Sequence, residues 1–509
     1  MLIVRFLKRG AIFVHRWLGV ALCLLFLVWF PSGIGIMYWG FPEIAPQDRL
    51  DRSPPLDASR IKLSLGEALV KADIVDADNI RLNTFDGRPA YRFRIDRGET
   101  MIYADTGDDQ FETPRPLADR LAAAWTGQPA DAARVESIDE VDQWTIQLGR
   151  ALPMWKYSWP NGEQVYVSEV SGDVAQYTTS ASRLGAYLGP ITHWLYFTPL
   201  RKHGQLWSRL VIWSSGIGAV SALLGIIVGV WMYSPRKCYR HAGGATSIPY
   251  RGQKRWHMVF GLIFGLGAVT WAFSGMLSLE PFPAPPQRAP EGAEALQRVQ
   301  RMLRGSLDLN AFAKRDPREA LTVLKGVPVK QLELATIAGI PVYFATVGRG
   351  DTRIIPMEGE PAEFDDKTLM DLVQRAVAPT ELAEVRVIEQ YDRYYLDRRR
   401  ERPLPVILAR LADPDNTRFY IDPKSARVVG TYSSSGWMNR WVYHGLHSLD
   451  FPWLYNYRPL WDIVVITFMV GGTALCVTSL ILAWRVIGRK LAALSGTPGR
   501  ALDEDLVPQ

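Results

Sequence analysis

Four stretches of the chain, 17–42, 210–235, 256–279 and 463–484, carry no acidic or basic residue, and each is 22 residues or longer. About 20 apolar residues at about 1.5 Å rise cross a hydrocarbon core of roughly 30 Å. A helix of a water-soluble domain seldom exceeds about 14 residues without showing a polar face. The pattern therefore predicts four membrane spans, placed at 17–39, 207–233, 257–279 and 459–485. The first is too long for a cleaved leader, and no small-residue cleavage site follows it.

Between the spans the period changes from none to two. In 40–206, Ser64-x-x-Glu67 is a capping box that opens a helix through about residue 71. Alternation then predicts strands at 80–84, 90–95 and 100–104 with a turn at 96–98, a helix near 116–124, and a strand at 164–168 before a turn at 171–173. The segment 280–458 runs in the same order: a helix near 317–324, strands at 341–346 and 352–355, a helix near 366–377, and strands at 418–422 and 426–431. Proline-rich 281–286 is a stiff exit from the third span. Each segment is long enough to bury a core, so two α+β modules are expected.

The chain also resembles itself. His15-Arg-Trp-Leu-Gly19 recurs as His257-Met-Val-Phe-Gly261, and Trp29, Ser32 and Gly33 recur as Trp271, Ser274 and Gly275, all 242 residues on. A second block recurs 254 residues on: Tyr166 as Tyr420, His193 as His447, Phe197 as Phe451, Leu200 as Leu454, and Leu206-Trp207 as Leu460-Trp461. Histidine occurs only seven times. Its recurrence in register at the ends of apolar helices points to paired ligands within a tandem two-helix repeat.

Charge sets the expected orientation. Arg5, Lys8, Arg9 and Arg16 precede the first span, Arg236, Lys237, Arg240, Arg251, Lys254 and Arg255 join the second to the third, and Arg485, Arg489 and Lys490 follow the fourth. Basic short loops stay cytoplasmic, so 1–16, 234–256 and 486–509 are expected inside, and 40–206 and 280–458 outside. The net charge of +6 then reflects topology and calls for no nucleic-acid partner. Cys23 and Cys476 lie within spans and Cys238 in the inside link, so the outer modules have no disulfide framework and no Cys-x-x-Cys motif.

On His15-Arg-Trp-x-Gly19, Leu446-His-Ser-Leu-Asp-Phe451, Arg458-Pro-Leu-Trp461 and the strand-turn units around 103–107 and 420–430, the chain resembles bacterial PepSY-domain proteins with PepSY-associated transmembrane helices. The resemblance covers nearly the whole length. It implies an integral membrane four-helix bundle, a tandem two-helix repeat, with two α+β PepSY-like periplasmic domains in the bacterial inner membrane. Members with an assigned activity look like ferric-siderophore reductases carrying two b-type haems. Relatives that add a cytoplasmic flavin domain differ from this chain, which has no Gly-x-Gly-x-x-Gly turn. A quinol or a separate cytoplasmic reductase is the donor expected in its place.

Within that resemblance the histidines become candidate axial ligands. His15 and His257, at the cytoplasmic starts of spans one and three, are the expected pair for one haem. Gly19 and Gly261, one turn on, leave room for a flat macrocycle, and Arg16 and Arg255 are placed to meet propionates. His193 and His447, in amphipathic stretches ahead of spans two and four, are the expected pair for a haem in the outer leaflet. His203 and His444 compete with them, although their repeat partners are Tyr457 and Pro190. An asymmetric site or a five-coordinate iron stays open. His241 is expected as a solvated loop residue.

Trp29 and Trp271 have an interfacial reading and a second one, packing between two haems. Gly225/Gly229 and Gly261/Gly265 read as helix-packing pairs. Arg393, Tyr394, Tyr395, Arg398, Arg399 and Arg400 form a basic, aromatic run that is either a substrate-binding patch for an anionic ferric chelate or a charged strand edge. Two other functions remain: a haem-free scaffold that restrains a periplasmic protein or peptidase, and a metal or siderophore transporter. The uncharged spans tell against the transporter. The sequence leaves the substrate and the oligomeric state open.

Overall fold

The computed structural model describes residues 2–95, 98–241, 244–282, 291–361, 365–397 and 400–494. Their contacts divide the chain into two units. One takes Met1–Phe41, Ala181–Ala284 and Trp437–Gln509, the other Pro42–Ser180 and Pro285–Gly436. The turn expected at 96–98 and the proline-rich exit expected at 281–286 lie partly outside the described residues.

The first unit is built on four helices, Leu2–Tyr38, Gly204–Met232, Gly252–Leu277 and Leu460–Leu494. All four are long and apolar enough to cross a membrane, as the uncharged runs require. The first packs on the second and fourth, and so does the third, so the first and third stand across the diagonal of the bundle. Small residues let them close up: a Cβ on Gly229 would lie 3.0 Å from Leu262, and one on Gly265 3.0 Å from Ile226. Helix Leu2–Tyr38 starts well before the predicted span and Leu460–Leu494 ends well after it. Backbone hydrogen bonding continues a helix beyond the hydrocarbon core at no desolvation cost.

Two short segments lie against this bundle. Pro190–Trp194 packs on the first membrane helix, and Leu446–Ser448 packs on the third. The first contact is backbone to backbone. A Cβ on Gly35 would clash with the Leu188 carbonyl, and one on Gly189 would lie 2.9 Å from the Gly35 carbonyl carbon. The amphipathic stretch ahead of span four opens as a π-helix over Met438–Gly445 before Leu446–Ser448. Such widened turns recur where a helix must re-aim a side chain.

In the second unit the two polar segments do not fold as separate modules. Six strands form one antiparallel sheet in the order Asp351–Pro356, Ile340–Gly348, Gln331–Ile337, Asn79–Phe85, Arg88–Ile95, Gly98–Tyr103. Its centre is the pairing of Asn79–Phe85 with Gln331–Ile337, Leu82 opposite Leu332. The core beneath it mixes both segments, Ile80, Tyr91 and Phe93 packing with Phe312, Leu332 and Tyr343. Each segment adds its own four-stranded antiparallel sheet, Arg134–Ile138 to Val174–Thr178 in one and Leu382–Ile388 to Arg427–Tyr432 in the other. Each segment also has a core of its own, around Tyr157 and Val165 in one and Phe344 and Leu411 in the other, so the expectation of two modules is corrected only in that the central sheet is shared.

Candidate functional site

The first unit brings four histidines together as two pairs. His15 on the first membrane helix faces His257 on the third across the diagonal, with ring centroids 6.1 Å apart and planes inclined at 34°. His193 on Pro190–Trp194 faces His447 on Leu446–Ser448, also at 6.1 Å, with planes at 72°. Two metal–nitrogen bonds of about 2 Å, plus about 1 Å from nitrogen to ring centre on either side, come to about 6 Å. Both pairs have the spacing of two imidazoles on one metal.

The hydrogen bonds decide which nitrogen carries the proton. His15 Nδ1 lies 2.9 Å from the Ser221 carbonyl oxygen, which can only accept. Nδ1 carries the proton, and the lone pair is on Nε2. His193 Nδ1 lies 3.2 Å from Ser32 Oγ and 3.2 Å from the Trp29 carbonyl. Ser32 Oγ already donates to the Val28 carbonyl at 2.7 Å, so it accepts from the ring. Ser274 does the same for His447: it donates to the Thr270 carbonyl at 2.6 Å and accepts from His447 Nδ1 at 3.0 Å. His257 Nδ1 is held by Thr478 Oγ1 and Ser479 Oγ, each at 3.3 Å, and by the Leu475 backbone. Burial pushes the His193 imidazole down to about 4 against the pull of the Trp29 carbonyl, which keeps the ring neutral.

Glycines make room for the rings. A Cβ on Gly225 would lie 2.6 Å from His15 Cε1, so this glycine, read from sequence as helix packing, is what admits the imidazole. One on Gly33 would press Met469 Sδ at 2.9 Å and approach His193 Cε1 at 3.6 Å, and one on Gly275 would lie 3.4 Å from His447 Cε1. Gly19 has nothing within 4 Å, and Gly261 meets only Leu475 at 3.8 Å, so neither is filled by a neighbour. Arg16 and Arg255 are exposed, Arg16 lying over the Phe13 and Trp17 rings at 5.8 and 5.9 Å.

The second pair lines a cavity of about 290 Å³ walled by Phe26, Trp29, Phe30, Trp271 and Met469. Trp29 Nε1 and Trp271 Nε1 are buried there without a hydrogen-bond partner among the described residues. Unpartnered donors on an apolar wall fit a bound group better than a closed core.

Sequence reasoning missed what aims the second pair. Trp207 Nε1 donates to the Trp194 carbonyl at 2.8 Å, and Trp461 Nε1 donates to the Ser448 carbonyl at 3.0 Å. Each carbonyl belongs to the residue after a paired histidine. Leu195 and Leu449, the next residues, adopt φ of +54° and +51°, a left-handed conformation that costs about 1–2 kcal/mol for a side chain with a Cβ. The indole bonds hold the chain in that turn. The signal was available, because Trp207 and Trp461 share the register of His193 and His447, but tryptophans at a membrane interface have an easier explanation.

The competing histidines are elsewhere. His203 is exposed at the start of its helix, and His444 lies beside Asp450, 3.8 Å from its carboxylate. His241 falls in the strand Tyr239–His241, and its side chain lies outside the described residues.

The basic, aromatic run is corrected in part. Tyr395 is wholly buried, stacked on Tyr420 at 4.7 Å and donating to the Pro403 carbonyl at 3.0 Å. Gly430 leaves it space, since a Cβ there would come within 2.9 Å of the ring. Tyr394 stacks on Tyr432 at 4.1 Å with the Arg418 guanidinium at 4.2 Å. Asp392 ties the turn down, accepting from Tyr420 Oη at 2.9 Å and from the backbone of Tyr395 at 2.7 Å. Asp142 does this in the other half, accepting from Tyr166 at 2.7 Å and Lys156 at 3.0 Å. Burial alone would raise the Asp142 carboxyl, but those two bonds, the Lys156 charge and the Trp144 backbone together hold it below the usual range. Tyr395 is therefore core and Tyr394 is half-buried against that cluster, while Arg393 and Arg400 are exposed. Arg398 and Arg399 lie outside the described residues. Tyr395→Ala is expected to destabilise the second unit by about 3 kcal/mol and Arg393→Gln by less than about 0.5 kcal/mol, read from denaturant unfolding of the detergent-solubilised chain.

Among the described residues no group of three or more His, Cys, Asp or Glu is placed to hold a metal ion, so two imidazoles per site are what the bundle offers. Fold and site define a multi-pass membrane protein with paired histidines inside its helical bundle. The family of the PepSY-associated TM region matches residues 13–299, more than half of the chain, and the protein belongs to that family. No curated protein matches it.

Proposed function

We propose that this chain is a transmembrane electron-transfer protein with two b-type haems, one held by His15 and His257 and the other by His193 and His447. It reduces a ferric siderophore or another metal chelate outside the bacterial inner membrane, in iron uptake. The observation that carries the reading is the pair of equal 6.1 Å imidazole separations, each between different helices. Bound haem would supply reversible one-electron exchange at iron.

The chain's residues do the rest. Every Nδ1 is engaged by a carbonyl or a hydroxyl, so Nε2 is the nitrogen that would meet iron at each site. The apolar wall of Phe26, Phe30 and Met469 excludes water and favours the less charged state. Basic residues on 1–16, 234–256 and 486–509 support cytoplasmic termini and periplasmic placement of the second unit. The donor is then a quinol or a cytoplasmic reductase that meets the His15–His257 end. Reduction of Fe(III) to Fe(II) weakens hard-oxygen chelation, which is how iron would leave a siderophore. The pairs His15/His257 and His193/His447 support the tandem two-helix arrangement.

The test is optical. Purified protein from haem-replete cells should show a dithionite-reducible b-type spectrum; a colourless, well-folded preparation overturns the proposal and leaves the scaffold reading. Ser32→Ala and Ser274→Ala remove the acceptors that orient His193 and His447. Each is expected to weaken retention of one haem about 10- to 100-fold, measured by transfer to apomyoglobin.

A further inference from the structure

One wall of the cavity that holds the second histidine pair is aromatic. Trp194, Tyr196 and Trp207 line it together with His193 and His447. Tyr196 stands between the two tryptophans, its ring centroid 5.3 Å from each of theirs. Trp194 is 38% exposed and the nearby Phe197 40%, so this wall also reaches the surface of the bundle.

Arg201 lies against the wall. Its guanidinium is 4.6 Å from the centre of the Trp207 ring and 5.1 Å from that of Tyr196, inside the limit of about 6 Å for cation–π attraction. Two arginines of the other half make similar contacts, Arg440 over Trp441 at 4.4 Å and Arg458 over Trp461 at 4.3 Å. Both of those are satisfied within the chain: Arg440 Nη2 donates to the Asp450 carbonyl at 2.9 Å, and Arg458 pairs with Asp462. Arg201 is half-buried, yet among the described residues no carboxylate or carbonyl accepts from its side chain. The sequence explains the difference, since the chain has no acidic residue between Asp173 and Glu280. Lys202 follows Arg201 and is exposed, and helix Gly204–Met232 turns its positive end to the same place. Basic residues are scarce beside a span on the outer side, and the flanks 40–52 and 437–462 mix acids with bases. A flank of cations alone, set against the wall of a candidate metal site, calls for an anion from outside the chain.

We propose that this wall, with Arg201 and Lys202, is where the second site receives its substrate, and that the substrate is a metal chelate of net negative charge. The inference rests on the redox reading for the presence of a metal in the ligand, and it moves the substrate contact away from the run around Arg393. Carboxylate oxygens of the chelating groups match the guanidinium fork, while the exposed rings of Trp194 and Phe197 meet its carbon atoms. The aromatic rings hold the guanidinium in place before the ligand arrives, which lowers the entropy lost on binding. A cationic chelate is repelled at the same place. Because the attraction acts over a Debye length of about 10 Å at 0.1 M salt, binding should weaken as salt is raised.

The experiment is calorimetric titration of the full-length, oxidised chain in phosphatidylcholine nanodiscs at low salt. The probe is tris(oxalato)chromate(III), a trianionic hard-oxygen chelate that does not exchange its ligands, and the trication hexaamminecobalt(III) is the comparison. Saturable binding of the anion and none of the cation is expected. Arg201→Gln should weaken it about tenfold or more, Arg201→Lys less, and Lys202→Gln by a smaller factor, with the haem content of each variant unchanged. Lys202 is exposed, so its variant still decides the matter if Arg201→Gln fails to fold. Four results overturn the proposal: no saturable binding up to about 10 mM, wild-type affinity in the folded variants, equal binding of the trication, or loss of haem from Arg201→Gln, which would give the arginine to a propionate. Binding abolished by adding phosphatidylglycerol would give it to lipid headgroups and overturn the proposal as well. A colourless chain that binds the chelate would remove the redox reading and leave this site, and a b-type chain that does not bind it would do the reverse.

Discussion

Replacing His15 or His257 by alanine is expected to halve the haem content of the purified chain, from two to one per polypeptide by pyridine haemochrome. The expectation rests on geometry. His15 and His257 come from helices on the bundle diagonal, and among the described residues no third His, Cys, Asp or Glu is grouped with them; Ser221, Thr478 and Ser479 engage the Nδ1 atoms. Losing one imidazole would leave a haem at this place with one protein ligand instead of two. The second pair, on Pro190–Trp194 and Leu446–Ser448, has its own supports in Ser32, Ser274, Trp207 and Trp461, so its haem should remain. His193→Ala and His447→Ala should give the reciprocal result. A count of two retained in His15→Ala would remove His15 from the site, and a count of zero would show that the two sites are not independent.

Gly225→Val is expected to have the same effect on the first site without touching a ligand. A Cβ at this position lies 2.6 Å from His15 Cε1, 3.1 Å from Nδ1 and 3.3 Å from Nε2. The ring cannot stay where it is, and the neighbouring helices are too closely packed for Gly204–Met232 to withdraw. Valine has no polar atom and is well accommodated in a membrane helix, so insertion and far-UV circular dichroism should be unchanged. Gly10→Val is the control, because nothing lies within 4 Å of Gly10. Loss of one haem in Gly225→Val with retention in Gly10→Val would trace the effect to the His15 pocket. Equal haem in both would mean that His15 is not held against Gly225.

Local features were legible wherever the sequence carries its own chemistry. The Ser64–Glu67 capping box forms, with Ser64 N donating to Glu67 Oε2 at 2.8 Å and Glu67 N donating to Ser64 Oγ at 3.3 Å. Helix Asp366–Val377 and strand Arg418–Asp422 fall where the periodicity puts them. Strand Gln331–Ile337 was not legible. It is central, buried on both faces, and carries Glu333 in the middle of its apolar run, so it shows neither alternation nor an unbroken hydrophobic stretch. That strand is the one that joins the two halves of the second unit. Tyr395 misled for a related reason: a tyrosine beside arginines has the composition of a binding patch, and only its stacking partner Tyr420, distant in sequence, shows it to be core.

By itself the sequence determined the four apolar helices, because a membrane imposes one length and one composition on whatever crosses it. It also determined which histidines belong together, because scarce residues recurring at constant offsets report equivalent places. Only the tertiary structure decided the rest: that the paired rings stand 6.1 Å apart, that Gly225 serves a histidine and not a helix contact, and that two polar segments share one sheet. Distances, tautomers and strand partners depend on how segments hundreds of residues apart pack together, and no local pattern encodes that.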